Sequence, residues 1–79
     1  MKLTVKLSTT LRDHVSGYAP EAGLQVEMPE GSTVAQLAQH LGLPLRDIKI
    51  VMVNGRQHQV DDPMRDGDRI AYFPAVGGG

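Results

Sequence analysis

The segment Ser32-Thr33-Val34-Ala35-Gln36-Leu37-Ala38-Gln39-His40-Leu41-Gly42 decides the fold class. Its apolar residues at positions 34, 37, 38 and 41 recur at the spacing of one helix face, whereas Gln36, Gln39 and His40 point elsewhere. Ser32 or Thr33 can cap the start of this helix, and the glycine that follows it can end it. Because a single apolar stripe needs a surface to cover it, the sequence predicts one helix lying on a β-sheet.

The segments around the helix supply that sheet. Alternating apolar and polar residues, one continuous apolar run and an Asn54-Gly55 hairpin turn mark its strands. The strands are predicted over residues 2–8, 24–28, 48–53, 56–60 and 69–73, with a short helical turn over 9–15. The apolar run predicts a central strand that is covered on at least part of both faces. The order β-β-α-β-β-β predicts an α+β domain of two layers, whose other sheet face is in water.

Composition narrows the class of protein further. The chain has 79 residues, of which 41% are hydrophobic and 22% are charged, and this is typical of one small globular domain. It contains no cysteine, which excludes disulfides, thiolate metal sites and a cysteine nucleophile. A net charge of −1 predicts no general attraction to nucleic acid or to an anionic membrane. No signal peptide or membrane-spanning pattern is present, so a cytoplasmic protein is expected.

The polar side chains that suggest a metal or anion site are better explained by local structure. The three histidines lack paired-ligand spacing, and the aspartates stand beside glycine or proline as turn residues do. These residues are His14, His40, His58, Asp61, Asp62, Asp66 and Asp68. Gly31-Ser32-Thr33 has neither the length nor the lysine of a phosphate loop. No metal site is predicted. Three arginines, Arg56, Arg65 and Arg69, fit a solvated face as well as they fit an acidic partner.

The chain ends in Phe73-Pro74-Ala75-Val76-Gly77-Gly78-Gly79. Glycine has no side chain to pack and a high entropic cost of ordering, so this run adds little to a fold. It can, however, thread a channel too narrow for a Cβ atom, and it ends in a free carboxylate. Residues 1–73 are therefore predicted to form the domain, and residues 74–79 a flexible tail for a partner's active site. A frayed terminus or a cloning remnant would explain the same glycines.

Phe73 is the only phenylalanine of the chain. Strand alternation places Ile70 and Tyr72 on one face of the last strand, and Ala71 and Phe73 on the other. Phe73 is then next to the tail and on the face that is predicted to be open. Contact with a partner is therefore favoured over a position in the core.

Taken together, these pieces resemble the ubiquitin-like sulfur carriers of the MoaD/ThiS family. That family includes the small subunit of molybdopterin synthase, the thiamin-biosynthesis carrier and a related carrier of cysteine biosynthesis. The resemblance spans the chain, and its parts are Pro29-Glu30-Gly31-Ser32-Thr33-Val34, Val53-Asn54-Gly55, Asp66-Gly67-Asp68, Phe73-Pro74-Ala75-Val76 and Gly78-Gly79. It implies a β-grasp fold, with a mixed sheet of four to five strands and one main helix on one face.

The resemblance also implies a chemistry. An E1-like adenylating enzyme would use ATP to adenylate the Gly79 carboxylate, and a sulfur donor would convert the acyl-adenylate to a thiocarboxylate. A sulfur-accepting synthase subunit would then receive the sulfur. The chain would be a carrier and substrate, with no catalytic residue and no bound cofactor. The positions in the family's motif imply that the tail threads into the partner through Gly77 and Gly78. They also imply that the partner is contacted by Phe73, Pro74 and Val76.

Two departures from the family's pattern bear on the pathway. Ala75 stands where the molybdopterin-synthase subunit usually has a second proline, and Gly77 adds a glycine before the terminal pair. Both departures make the sequence more similar to the thiamin or cysteine carriers than to the molybdopterin-synthase subunit. Two other functions stay open: a protein modifier joined through Gly79 to lysines of target proteins, and a β-grasp module that binds a partner non-covalently while its tail is inert.

Overall fold

The computed structural model describes residues 1–75, and its elements follow the predicted order. The strands are β1 (Lys2–Leu7), β2 (Leu24–Glu27), β3 (Ile48–Val53), β4 (Arg56–His58) and β5 (Arg69–Pro74). The helix α1 spans Val34–His40, and two short 3₁₀ helices span Thr9–His14 and Leu45–Asp47. Within these 75 residues, no helix is long and apolar enough to cross a membrane.

The five strands form one mixed sheet in the order β2-β1-β5-β3-β4. The first and last strands of the chain pair in parallel at its centre, where Val5 is opposite Ile70 and Leu7 is opposite Tyr72. The other three pairings are antiparallel. With α1 on one face, this arrangement is the β-grasp fold, and the predicted fold class is confirmed.

The helix packs as its sequence predicts. Val34, Leu37 and Ala38 are fully buried, and they join one core cluster with residues of the sheet. Thr33 closes a capping box with Gln36, because each side chain accepts a hydrogen bond from the other residue's backbone N–H. Gly42 follows the helix with a φ of +77°, a left-handed conformation that glycine adopts without strain.

The prediction that the strand over 48–53 is central and covered on at least part of both faces holds only in part, because β3 pairs with a strand on each side but its open face is mostly uncovered. β5 is the central strand, and β3 lies one position from the edge. Ile50 is 38% exposed, and the neighbouring Lys49 is also exposed. The reason is that α1 covers only one face of the sheet. In the apolar run of β3, Val51 and Val53 therefore point into the core, and the other face of the strand is open.

Of the strand ends that differ from the prediction, those of β4 and β5 are decided by contacts with distant segments. β4 stops at His58 because the following loop turns toward the start of α1, where Val34 N–H and Ala35 N–H donate to the carbonyls of Asp62 and Val60. β5 continues through Pro74, which pairs with Ile48. The predicted tail therefore begins with one residue, Pro74, that is part of the sheet. Residues 76–79 lie outside the described residues.

Tyr72 ties the central strand to the helix. Its side chain is fully buried, and its hydroxyl donates a 2.7 Å hydrogen bond to the carbonyl oxygen of Val34. Burial disfavours the charged phenolate and raises the pKa of Tyr72 well above its usual value near 10. This side chain thus couples β5 and α1 only in its neutral form.

We expect Tyr72→Phe to lower the free energy of unfolding by about 1 kcal/mol at pH 7, since one buried hydrogen bond is lost. Above pH about 10 the unfolded chain loses the Tyr72 proton while the folded chain keeps it, so stability falls as pH rises. The Tyr72→Phe variant lacks this contribution. The difference in free energy of unfolding between the two proteins should therefore decrease between pH 9 and about 11. Urea unfolding across that range measures both effects, and a constant difference between the two proteins would contradict the second.

Candidate functional site

The open face of the sheet carries an apolar patch that reaches the end of β5. This open-face patch consists of Ile50 and Met52 on β3 and of Ala71 and Phe73 on β5. Ile50 is paired with Phe73, and Met52 with Ala71. Ile50 is exposed and the other three are half-buried. Because their neighbours Val51, Ile70 and Tyr72 point into the core, strand alternation sends these four side chains to the open face.

Part of the patch lines a shallow hollow of about 600 Å³. Its apolar lining includes Met52, Ala71 and Phe73, and its two charged residues are Lys6 and Arg69. Both of these are cations. Lys6 Nζ donates to the carbonyls of Pro20 and Glu21 at 3.1 and 2.6 Å, which holds it at the border of the hollow. The hollow is therefore apolar at its floor and positive at its rim.

The last described residues, Pro74 and Ala75, directly follow Phe73. Ala75 N–H donates to the carbonyl oxygen of Asp47 at 3.3 Å, so the chain is held one residue beyond the end of β5. The pairing of β3 with β5 is irregular between Ile48 and Ile50, and Lys49 at this position is exposed. Irregular positions of this kind often redirect a side chain next to a functional site.

The predicted partner contacts fall partly within this site. Phe73 lies on the open face, as predicted, and Pro74 ends the same strand. Val76, Gly77, Gly78 and Gly79 lie outside the described residues, so their predicted roles stay predictions. Sequence reasoning missed Ile50 and Met52. The signal was present in the apolar run of β3, but it was interpreted as coverage on at least part of both faces.

The aspartates that were considered for a metal or acid site accept hydrogen bonds from backbone N–H groups instead. Asp66 accepts from Lys2 N–H at 2.7 Å, and Asp68 accepts from Arg65 N–H at 2.8 Å. Asp62 accepts from Gln59 N–H at 3.0 Å and contacts His58 at 3.1 Å. The residues that the structure describes contain no group of three side chains arranged to hold a metal ion.

A mixed five-stranded sheet, one helix on one face and a central strand that leads into the glycine end define a ubiquitin-like β-grasp protein. The sequence profile of the ThiS family matches residues 5–79. The chain therefore belongs to the ThiS family of small sulfur carriers, as its motifs predict. No curated protein sequence matches it.

Solved structures show the same fold at low sequence identity. SAMP1 from Haloferax volcanii has a TM-score of 0.72 and 22% identity, with 100% of each chain covered. Urm1 from Trypanosoma brucei has a TM-score of 0.71 and 19% identity, with 99% of this chain and 95% of that chain covered. A chain of the complex of subunits 1 and 2 of the molybdopterin-converting factor from Helicobacter pylori has a TM-score of 0.61 and 18% identity, with 100% of each chain covered.

Proposed function

We propose that this protein carries sulfur as a thiocarboxylate on Gly79. The observation that supports this most directly is the extent of the family match, which runs through the terminal glycines to residue 79. A bare carboxylate is a poor electrophile, whereas its acyl-adenylate has AMP as a good leaving group. A sulfur nucleophile can then attack the carbonyl carbon and displace AMP. In this proposal a partner enzyme binds and uses ATP, and the chain is a substrate without a catalytic residue of its own.

The described structure supports different roles for the open face of the sheet and for the glycine end. The open-face patch is an apolar surface beside the point where β5 ends, as expected of a surface that contacts a partner. Beyond Ala75 the four remaining residues can extend at most about 14 Å. Docking of the open face against an E1-like adenylating enzyme would thus bring Gly79 to an active site close to the contact surface. A sulfur-accepting synthase subunit would use the same surface in a later step.

The receiving pathway belongs to the proposal as well. Molybdopterin, thiamin and cysteine biosynthesis each use a carrier of the family that the sequence resembles. Ala75 and Gly77 favour a carrier of the thiamin or cysteine type. All of these reactions would take place in the cytoplasm, which agrees with a chain that contains no cysteine.

Intact-mass spectrometry of the protein purified from its native host tests the proposal. We expect a fraction of the chains to differ from the translated sequence by one oxygen replaced by sulfur. The difference should disappear from a variant that lacks Gly78 and Gly79. A wholly unmodified mass, with binding to its adenylating enzyme retained after that deletion, would instead support the non-covalent module.

A second candidate function is conjugation to other proteins. It is favoured by the similarity in fold to a structure named as small archaeal modifier protein 1, with a TM-score of 0.74 and 20% identity. Both functions start from the same acyl-adenylate and differ in whether sulfur or an amine attacks it. Species of higher mass that disappear when Gly79 is deleted would identify the modifier.

We expect Phe73→Ala to weaken binding to the adenylating enzyme at least tenfold, because a central aromatic side chain of an interface often contributes about 2 kcal/mol or more. The half-buried position of Phe73 predicts a smaller effect on folding, below about 1.5 kcal/mol. Calorimetric titration and thermal unfolding measure the two. Val60→Ala is the control, since Val60 is an exposed apolar residue, at 38%, in the loop next to α1 and away from the open-face patch. If Phe73→Ala and Val60→Ala lost the same affinity, Phe73 would not be a specific contact with the enzyme.

A further inference from the structure

Ala71 lies at the centre of a ring of four longer side chains on the open face of the sheet. On the neighbouring strands it is opposite Lys6 of β1 and Met52 of β3. Along β5 its neighbours on the same face are Arg69 and Phe73, because side chains two positions apart share a face. All five residues line the hollow of about 600 Å³ on this face. This site is the Ala71 hollow, a depression where a methyl group is surrounded by long side chains.

The walls of the Ala71 hollow are of two kinds. Met52 and Phe73 are apolar and half-buried, and they lie toward β3 and toward the end of β5. Lys6 and Arg69 form the other two sides, and both residue types carry a positive charge at pH 7. One half of the ring is therefore apolar, and the other half is cationic.

Neither of these two cations is neutralised by a carboxylate of the described chain. The ion pairs found within residues 1–75 involve His14, Arg46 and His58, and neither Lys6 nor Arg69 takes part in them. The two backbone carbonyls that accept from Lys6 Nζ fix its position. They leave one of the three N–H donors of an ammonium group for another acceptor. A bound anion would therefore face two positive charges without competition from an internal ion pair.

The hollow next to β4 shows that a similar volume does not by itself favour an anion. That hollow measures about 630 Å³ and is lined by Arg56 and Arg65, but Asp62 and Asp68 line it as well. Charges of both signs in one hollow offset each other, so no charge preference is expected there. The charged side chains that line the Ala71 hollow, among the residues that the structure describes, are cations only.

We propose that the Ala71 hollow binds a small amphipathic anion, that is, an aromatic or branched apolar group that carries one carboxylate or sulfonate. The apolar group would lie on Ala71 against Met52 and Phe73, and the anionic group would face Lys6 and Arg69. Sites for small ligands have volumes of about 300–1,000 Å³ and combine an apolar lining with a few polar groups, as this hollow does. The inference concerns binding and does not depend on the proposed sulfur chemistry.

The test is an NMR titration of the isotope-labelled full chain with naphthoate. We expect saturable shifts of the amide signals of Lys6, Met52, Ala71 and Phe73. Naphthylmethanol has the same rings without a charge and should bind severalfold more weakly, and naphthylmethylammonium should bind at least tenfold more weakly. Added salt should weaken the binding of naphthoate, because it screens the two exposed cations.

Two variants with matched controls locate the ligand. Ala71→Leu fills the hollow and should weaken the binding of naphthoate at least tenfold, whereas Ala22→Leu, in the exposed loop before β2, should not. Lys6→Met removes the charge and keeps an unbranched side chain, so it should weaken the binding of naphthoate severalfold without weakening that of naphthylmethanol. Lys2→Met is its control, since Lys2 is exposed on the same face of β1 and does not line the hollow.

A bound anion would cover Phe73 and should compete with the adenylating enzyme for the open-face patch, a consequence that rests on the proposed function. Saturating naphthoate should then raise the KM for the chain in adenylation without changing kcat. Naphthoate binding at the hollow without this rise would support the Ala71 hollow and contradict docking of the enzyme on the open-face patch.

Lys6→Met keeps the inference testable if Ala71→Leu does not fold. No saturable binding of naphthoate, shifts centred away from Ala71, or equal affinities for naphthoate and naphthylmethylammonium would each overturn the inference. So would unchanged binding by a folded Ala71→Leu variant, or equal losses in Lys6→Met and Lys2→Met.

Discussion

Replacing Gly78 with valine is expected to leave the melting temperature unchanged and to slow adenylation of the Gly79 carboxylate at least a hundredfold. The reason is the proposed threading of the chain end into a partner's channel, in which an added Cβ branch would displace the reacting carboxylate. A displacement of about 1 Å can reduce a rate by about 10²-fold. The fold should not change, because the described residues, 1–75, already form a complete sheet, helix and core cluster.

The measurement is pyrophosphate release by the adenylating enzyme, with thermal unfolding in parallel. Ala22→Val is the control, since Ala22 is exposed in the loop before β2 and the substitution adds the same kind of branch away from the chain end. Normal adenylation of Gly78→Val at an unchanged melting temperature would refute the narrow channel. This experiment addresses activation, which the carrier and the modifier share. The intact-mass experiment separates those two.

The second large effect is expected in the helix. Leu37 is 0% exposed and lies in the middle of the apolar stripe that α1 presents to the sheet. Leu37→Ala removes that contact and leaves a cavity, at a cost of about 2–5 kcal/mol. For a domain of this size, each kcal/mol lowers the melting temperature by about 4–8 °C. We therefore expect a decrease of about 10 °C or more.

Gln39→Ala is the matched control for this prediction, because Gln39 is exposed on the same helix. Its effect should stay within about 0.5 kcal/mol. Urea unfolding of both variants gives the comparison. Similar stabilities of the two variants would mean that the stripe is not the contact that holds the helix on the sheet.

Local sequence predicted the elements well. The capping residue Thr33 and the turn glycine Gly42 bound α1 as expected, because both act through hydrogen bonds or backbone conformations a few residues away. The alternation in β5 placed Phe73 on the face opposite Tyr72 for the same reason. Strand ends were less accurate where a distant segment decided them. β4 is shortened by the loop that caps α1, and β5 is lengthened by its pairing with Ile48.

The candidate site was predicted only in part. Phe73 could be found because it is a single aromatic residue beside a glycine end. Ile50 and Met52 could not, because an apolar run is compatible with a strand covered on one face or on two. Whether the second face is covered depends on the number of helices packed against the sheet.

The sequence alone determined that the chain has one amphipathic helix, alternating strands and a run of glycines at positions 77–79, since each of these depends on neighbouring residues. Only the tertiary structure decided the strand order, in which Val5 and Ile70 pair across most of the chain. That pairing makes β5 central and places Phe73 next to Ile50 on the open face. It also leaves β2 at an edge. Contacts between distant segments depend on how all the apolar faces are buried together, and no local pattern encodes that arrangement.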